Sequence, residues 1–420
     1  MPASDTPESG QLPGRYEWVE EPAPGEVPTD PDWQRFSDVV RSFEAEAGAS
    51  LGRQDGVSTP DAVDHNRAME EPSLTTGYDL QQFPVDAAGD PVDASAYGIL
   101  RNQYNQLPGT LLIGGRREHP GGNDGAGVRE YTVARGARVE SVEPTLDPSE
   151  ENPILLEMQA QPQKVRSYLI HQPSAATTVT VESENQNDIA LDVTIEDEDA
   201  GTAETISLTE ETDANGNFVA ANATTQSEFA DIDAIWISDN PVGDVTVTDG
   251  SGTTLCGIEG GLTYSDDDQP VDGDRGVPPL GAGSHAAEIG TSFEHFVGDR
   301  FERAGSALRA RVNSASWTVE NDLETNALSE TRAPSVDEGN RTVSVDADVA
   351  GPFVSHQSMM ESLQKDQGDL EHELSGGIIR FKNTVPTDSA TRTVEADQGV
   401  ASLSETLEAS GDPAIELEAN

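Results

Sequence analysis

The chain has 420 residues, of which 78 are Asp or Glu and 24 are Lys or Arg, for a formal net charge of −54. Repulsion on that scale burdens a compact fold in dilute salt, whereas the Debye length is about 3 Å at 1 M salt, so the composition points to a salt-loving source and weighs against tight phosphate binding. A single cysteine, Cys256, excludes an intrachain disulfide framework, and no run of about 18 apolar residues offers a membrane helix.

Residues 1–50 read as an arm followed by a helix. The first thirty or so positions are rich in Pro, Glu, Gly and Asp, and Met1-Pro-Ala-Ser-Asp5 lacks the basic-then-apolar pattern of an export signal. Thr29-Asp30-Pro31 supplies a cap and an early proline. Trp33, Phe36, Val40 and Phe43 then follow at helical spacing, a stripe that must dock on its own domain or on a neighbouring subunit.

Residues 51–172 begin as a Gly, Asp and Pro-rich connection reaching Tyr97, with an ordered segment starting at Ile99–Tyr104. Thr110–Gly115 reads as a strand, Arg116–Asn123 as a long turn, and Tyr131–Val139, Pro153–Met158 and Val165–Ile170 as further strands. From Pro173 the strands become short: Thr177–Val181, Ile189–Ile195, Glu204–Leu208, Ala234–Ile237 and Val245–Val247, punctuated by Asn215-Gly216 and Asp249-Gly250. That spacing predicts an inserted immunoglobulin-like sandwich over 173–259, with Cys256 as a buried, inert thiol. Its removal is expected to leave assembly of the remainder intact.

Residues 260–420 open on an acidic loop. Asp266, Asp268, Asp272 and Asp274 are the best calcium candidate in the chain, yet the loop lacks the alternating donors, central glycine and terminal Glu of a helix-loop-helix site, and it reads as solvated. Val312, Ala315, Trp317 and Val319 then lie in a β-rich run that ends at Asn321-Asp322. Arg332-Ala-Pro334 is an extended corner, and after Asp337-Glu-Gly339-Asn340 comes Thr342–Val349, with Val343, Val345, Ala347 and Val349 on one face and Asp346 and Asp348 on the other. Ser355–Leu374 reads as helical through Met359, Leu363 and Leu370, and Ile378–Phe381 as a strand.

The stretch SASWTVENDL…RAPSVDEGNRTVSVDADV resembles the central hairpin of the tail tube protein of long, non-contractile tailed viruses, through Trp317, Asn321, Leu323, Arg332, Pro334, Gly339 and Val343 in order. The ending TLEASGDPAIELEAN is similar to the final strand and terminal Asn of many tube proteins. The likeness spans about residues 300–420, more faintly 95–172, and the acidity would make the virus haloarchaeal. It implies a mainly β fold with few helices: a tail-tube-type β-sandwich or barrel contributing to a ring, carrying the inserted immunoglobulin-like sandwich on its outside. It implies self-assembly into stacked hexameric rings in the host cytoplasm and residence in the virion tail. The implied partners are tail terminator, tape-measure and baseplate proteins, with viral DNA passing through the bore unbound and no membrane. In that reading the hairpin around Trp317, Val343 and Val345 is wall, Asp346 and Asp348 face the bore, the turn from Asn321 to Asn340 contacts a neighbour, and the helix of Trp33 and Phe36 links subunits.

Catalytic patterns are poor. No His-Glu-x-x-His, phosphate-cradling glycine loop with Lys or Gly-x-Ser-x-Gly elbow occurs, and His171, His356 and His372 read as structural, so the chain is read as a non-enzyme needing no cofactor beyond high salt. Arg116, Arg117, Arg129, Arg135 and Arg138 form the one basic cluster, suited to the acidic surface of the next ring or to ordinary ion pairing. A tail-tip or baseplate protein of the same fold, and a halophilic surface adhesion protein built of β-sandwiches, fit the same features.

Overall fold

The computed structural model describes residues 14–22, 33–36, 40–46, 49–55, 62–79, 111–119, 127–145, 155–197, 200–261, 274–278, 300–303, 309–326, 335–337, 339–351, 368–374, 377–387, 391–394, 401–411 and 414–419. Among them the fold is antiparallel β throughout, with one 3-10 turn at Gln186–Asp188 and no α-helix. Sixteen strands join one branched sheet, and nine more form a five-stranded and a four-stranded sheet.

The organising element is the long Val128–Thr145 strand. Its first half pairs with Leu111–His119 on one side and Lys164–His171 on the other, and Leu111–His119 pairs in turn with Gly14–Glu20; these four strands are called here the basic sheet. Its second half pairs with Leu155–Gln161, which leads through Ser73–Asp79 to Val40–Glu46. The change of partners occurs at Gly136. There φ is +61°, a Cβ would stand 2.8 Å from the Gln163 side chain, and the backbone N–H donates to the buried Glu21 carboxylate at 3.0 Å. Only glycine adopts that left-handed conformation without strain.

Both faces of the basic sheet are covered, which explains apolar runs such as Leu111-Leu-Ile113. Ile113, Ala134 and Val165 face a large core completed by Trp317, Val345, Phe381 and Leu407. Leu112, Tyr131, Val133, Tyr168 and Ile170 face a second core shared with both smaller sheets. Fully burying an aromatic or large aliphatic side chain contributes about 1.5–3 kcal/mol. The large core holds the hairpin Arg309–Asn321 and Arg341–Gly351, paired from Arg311↔Ala350 to Asn321↔Arg341.

The hairpin strands, Arg300–Arg303, Gly368–Leu374, Gly377–Pro386 and Ala401–Ala409 pair in a cycle. Its link between Val385-Pro386 and Leu407-Glu408 is only two residue pairs long, so the sheet folds over its core without closing as a barrel.

The two smaller sheets, spanning Val179–Ile258 plus Gly276–Val277, share one core and form a sandwich. Every strand expected between 173 and 259 occurs. The last strand lies past 259, however: Val277 pairs with Ile235, and Gly276, at φ +83°, sits so close that a Cβ would meet the Ile235 carbonyl at 2.2 Å.

Four expectations are corrected. Gly14–Glu20 is a strand with Trp18 and Val19 buried, not part of an arm. The helical stripe is instead the strands Gln34–Arg35 and Val40–Glu46, the latter pairing Phe43 with Thr76. Trp33 faces the second core and Phe36 and Phe43 the first, so the spacing reflects two cores and not one helix face, and both Trp33 and Phe36 dock on their own chain. Gly368–Leu374 is also a strand, with Leu370 and His372 inward at period two, while 352–367 lie outside the described residues. The supposed connection before Tyr97 contains Ala49–Asp55, Ala62–Glu70 and Ser73–Asp79; the segment at Ile99–Tyr104 lies outside the described residues.

Candidate functional site

Two sheet faces carry the chemistry of this chain. The first is the outer face of the hairpin. Trp317, Val319, Val343 and Val345 turn into the core, with the Trp317 and Phe381 rings 6.2 Å apart, so Ser316, Thr318, Glu320, Thr342, Ser344 and Asp346 turn away from it. The Ala401–Ala409 strand extends this face, since Thr406 lies opposite Asp346 and Glu408 opposite Ser344. Thr406 donates its hydroxyl to Asp346 at 2.5 Å. Hydroxyls and carboxylates occupy all of these positions, and none is a cation. Such a face offers a polyanion no counter-charge.

The second is the basic sheet beneath the small sandwich. Arg116 and Arg129 each place Nη1 2.7 Å from the same oxygen of Asp233. Lys164 and Arg166 reach one oxygen of Asp274 at 2.7 and 3.3 Å. Burial lowers the Lys164 pKa, opposed by the Asp274 charge. The Trp236 ring lies 5.4 Å from the Arg135 guanidinium and 4.7 Å from that of Arg275, and Arg135 donates to the Tyr168 hydroxyl at 3.3 Å. Gln172 closes the seam, its amide bonding to the Ile232 carbonyl at 3.1 Å and its carbonyl accepting from the Ile232 N–H at 2.7 Å.

The expected assembly residues separate on these faces. Asn321 donates to the Val139 carbonyl at 2.8 Å and accepts from Arg341 Nε at 3.0 Å, tying the hairpin to the long strand where Val319 and Glu320 pair with Val142 and Ser141. Leu323 is half-buried, and Gly339 packs so tightly that a Cβ would stand 1.8 Å from the Asp322 carbonyl. Arg332 and Pro334 lie outside the described residues, as do Asp266, Asp268 and Asp272. Asp274 is no loop ligand; it is buried between Lys164 and Arg166, and among the described residues no carboxylate, His or Cys cluster could hold a metal.

Arg116 and Arg129 are likewise paired within the chain, which is the ion-pairing alternative of the two expected for the basic cluster, although the pairs are covered. Sequence reasoning missed Asp233, and it put Asp274 in an acidic loop and not against Lys164 and Arg166. A signal was present: Arg129, Tyr131, Val133 and Arg135 alternate on one face, and cations among apolar inward positions require buried carboxylates. Cys256 is buried and its thiol is pushed up to about 12 by desolvation, which holds it protonated. No protein-family model matches the sequence, and no characterised protein resembles it significantly.

Proposed function

We propose that this chain is a structural virion subunit of the tail tube type, which assembles with copies of itself into stacked rings enclosing a conduit for DNA. The observation that carries the reading is a pair of two-stranded ribbons. Ala49–Asp55 pairs with Ala62–Glu70, and Glu324–Asn326 with Ser335–Asp337; among the described residues neither ribbon pairs with any other strand. A ribbon alone is marginally stable in water, and it gains stability when a neighbouring surface covers it. The first follows the paired strands Val40–Glu46 and Ser73–Asp79 and the second continues the hairpin, with Val336 of the second buried.

The hydroxyl and carboxylate face around Ser316, Ser344, Asp346 and Thr406 supports the same reading. Lining a bore, it would let a polyanion pass without adhering. The small sandwich would then lie on the outside, leaving the bore open. Contacts around a ring close by rotation, whereas contacts between rings repeat without closure and give a filament.

The test is negative-stain microscopy of the full chain in multimolar salt. Stacked annular particles are expected. Monomers alone, from protein shown to be folded by circular dichroism, contradict the reading, and single rings that never stack favour a tail-tip component of the same fold.

A further inference from the structure

In a chain with 78 acids and 24 bases, four bases converge on one covered sheet face: Arg116, Arg129, Lys164 and Arg166. Two carboxylates of the small sandwich reach them. Asp233 immediately precedes the Ala234–Ile237 strand and Asp274 lies just before Gly276–Val277, and these strands are neighbours in one sheet. Each carboxylate is 3% exposed and meets two cations. The apolar contact around them is continuous, from Leu112, Tyr131 and Ile170 of the basic sheet to Ile232 and Leu255 of the sandwich.

We infer that the small sandwich is clasped to the basic sheet by Asp233 and Asp274, and that this clasp holds at salt concentrations where contacts between separate copies of the chain fail. Ion pairs excluded from water are screened little by salt, so dilution changes them little. Copies that each carry −54 repel more strongly as salt is withdrawn. Removing either carboxylate leaves two covered cations without it, a far greater loss than breaking a surface pair. The clasp itself is independent of the tube reading; the comparison with contacts between copies rests on it.

The chain carries its own reporter. Cys256, the one thiol, is 3% exposed in the same core as Tyr168 and Ile170. Its reaction with an aromatic disulfide reagent therefore reads opening of the sandwich. Full-length protein is diluted stepwise from multimolar salt while light scattering, far-UV circular dichroism and thiol labelling are followed together. Scattering is expected to fall first, with Cys256 still protected until the dichroism is lost. Faster labelling while scattering and dichroism are unchanged would overturn the order.

The paired substitution Asp233→Asn and Asp274→Asn, which keeps shape and removes charge, is expected to accelerate labelling about a thousandfold or more in multimolar salt at unchanged dichroism. A wild-type labelling rate in the folded double variant sinks the clasp. Should that variant fail to fold, Asp274→Asn alone is expected to label about a hundredfold faster, and a wild-type rate there has the same meaning. Protein that never scatters as an assembly contradicts the subunit reading, while the variant comparison still decides the clasp.

Discussion

The basic sheet and the hairpin sheet are built from the same β pattern and use charge in opposite ways. On the basic sheet, cations sit among Tyr131, Val133 and Tyr168 and are covered by a second layer whose carboxylates meet them. On the hairpin, the valines and Trp317 are covered while Ser316, Ser344, Asp346 and Glu408 face outward with no cation among them. The chain thus holds cations where Asp233 and Asp274 are buried, and presents hydroxyls and carboxylates around Asp346. Burying Asp233 or Asp274 without a partner would cost several kcal/mol, whereas a solvated carboxylate such as Asp346 needs none.

Removing the small sandwich is the strongest way to break this contrast. Deleting residues 173–278 uncovers Leu112, Tyr131, Val133, Tyr168 and Ile170 together with the basic side chains. We expect loss of soluble folded protein, scored by gel filtration in multimolar salt, which reverses the expectation that the insert is dispensable for assembly. Next in size is Asp233→Asn, which leaves Arg116 and Arg129 covered without that charge; about 3–5 kcal/mol of stability should be lost in denaturant titration. Gly276→Ala forces a Cβ onto the Ile235 carbonyl at a positive φ, and a loss of about 1–3 kcal/mol is expected by the same measurement. Asp346→Asn, on the outward face, should stay within about 0.5 kcal/mol of wild type.

The smallest effect concerns pH. Asp213 in the Asp213–Asn217 turn accepts backbone N–H bonds from Asn217 and Asn215, which depress its pKa from 3.8 to about 2. A depressed carboxylate favours the folded state above 3.8 and loses that contribution as pH falls through about 2. A carboxyl titration by NMR should therefore place Asp213 below the ordinary aspartate range, and an ordinary value would show that the turn does not hold.

Period-two alternation carried most of the fold. Thr342–Val349, Tyr131–Val139 and the short strands after Pro173 were legible because each buries one face and wets the other, or alternates two kinds of buried side chain. Leu74, Thr76 and Tyr78 alternate as clearly and point inward, yet their turn-rich surroundings hid them. The failures share a cause. Trp33, Phe36, Val40 and Phe43 mimic a helix because the chain crosses from one core to another, and local spacing cannot tell two cores from one face. At the candidate sites, outward Asp346 was readable from its own strand. The Asp233 and Asp274 pairs were not, because their cations lie more than a hundred residues away in sequence and only the packing of two sheets joins them.

The account turns on which face of an assembly the hairpin presents. Cysteine placed at Ser344, on the outward hairpin face, and separately at Glu211, on the exposed edge strand Thr209–Thr212 of the sandwich, can be biotinylated and the assembled particles offered streptavidin, with native Cys256 buried and silent. Capture at position 211 with little at position 344 is the result predicted by the proposal that the hairpin face lines the bore. Equal capture at both positions would contradict it.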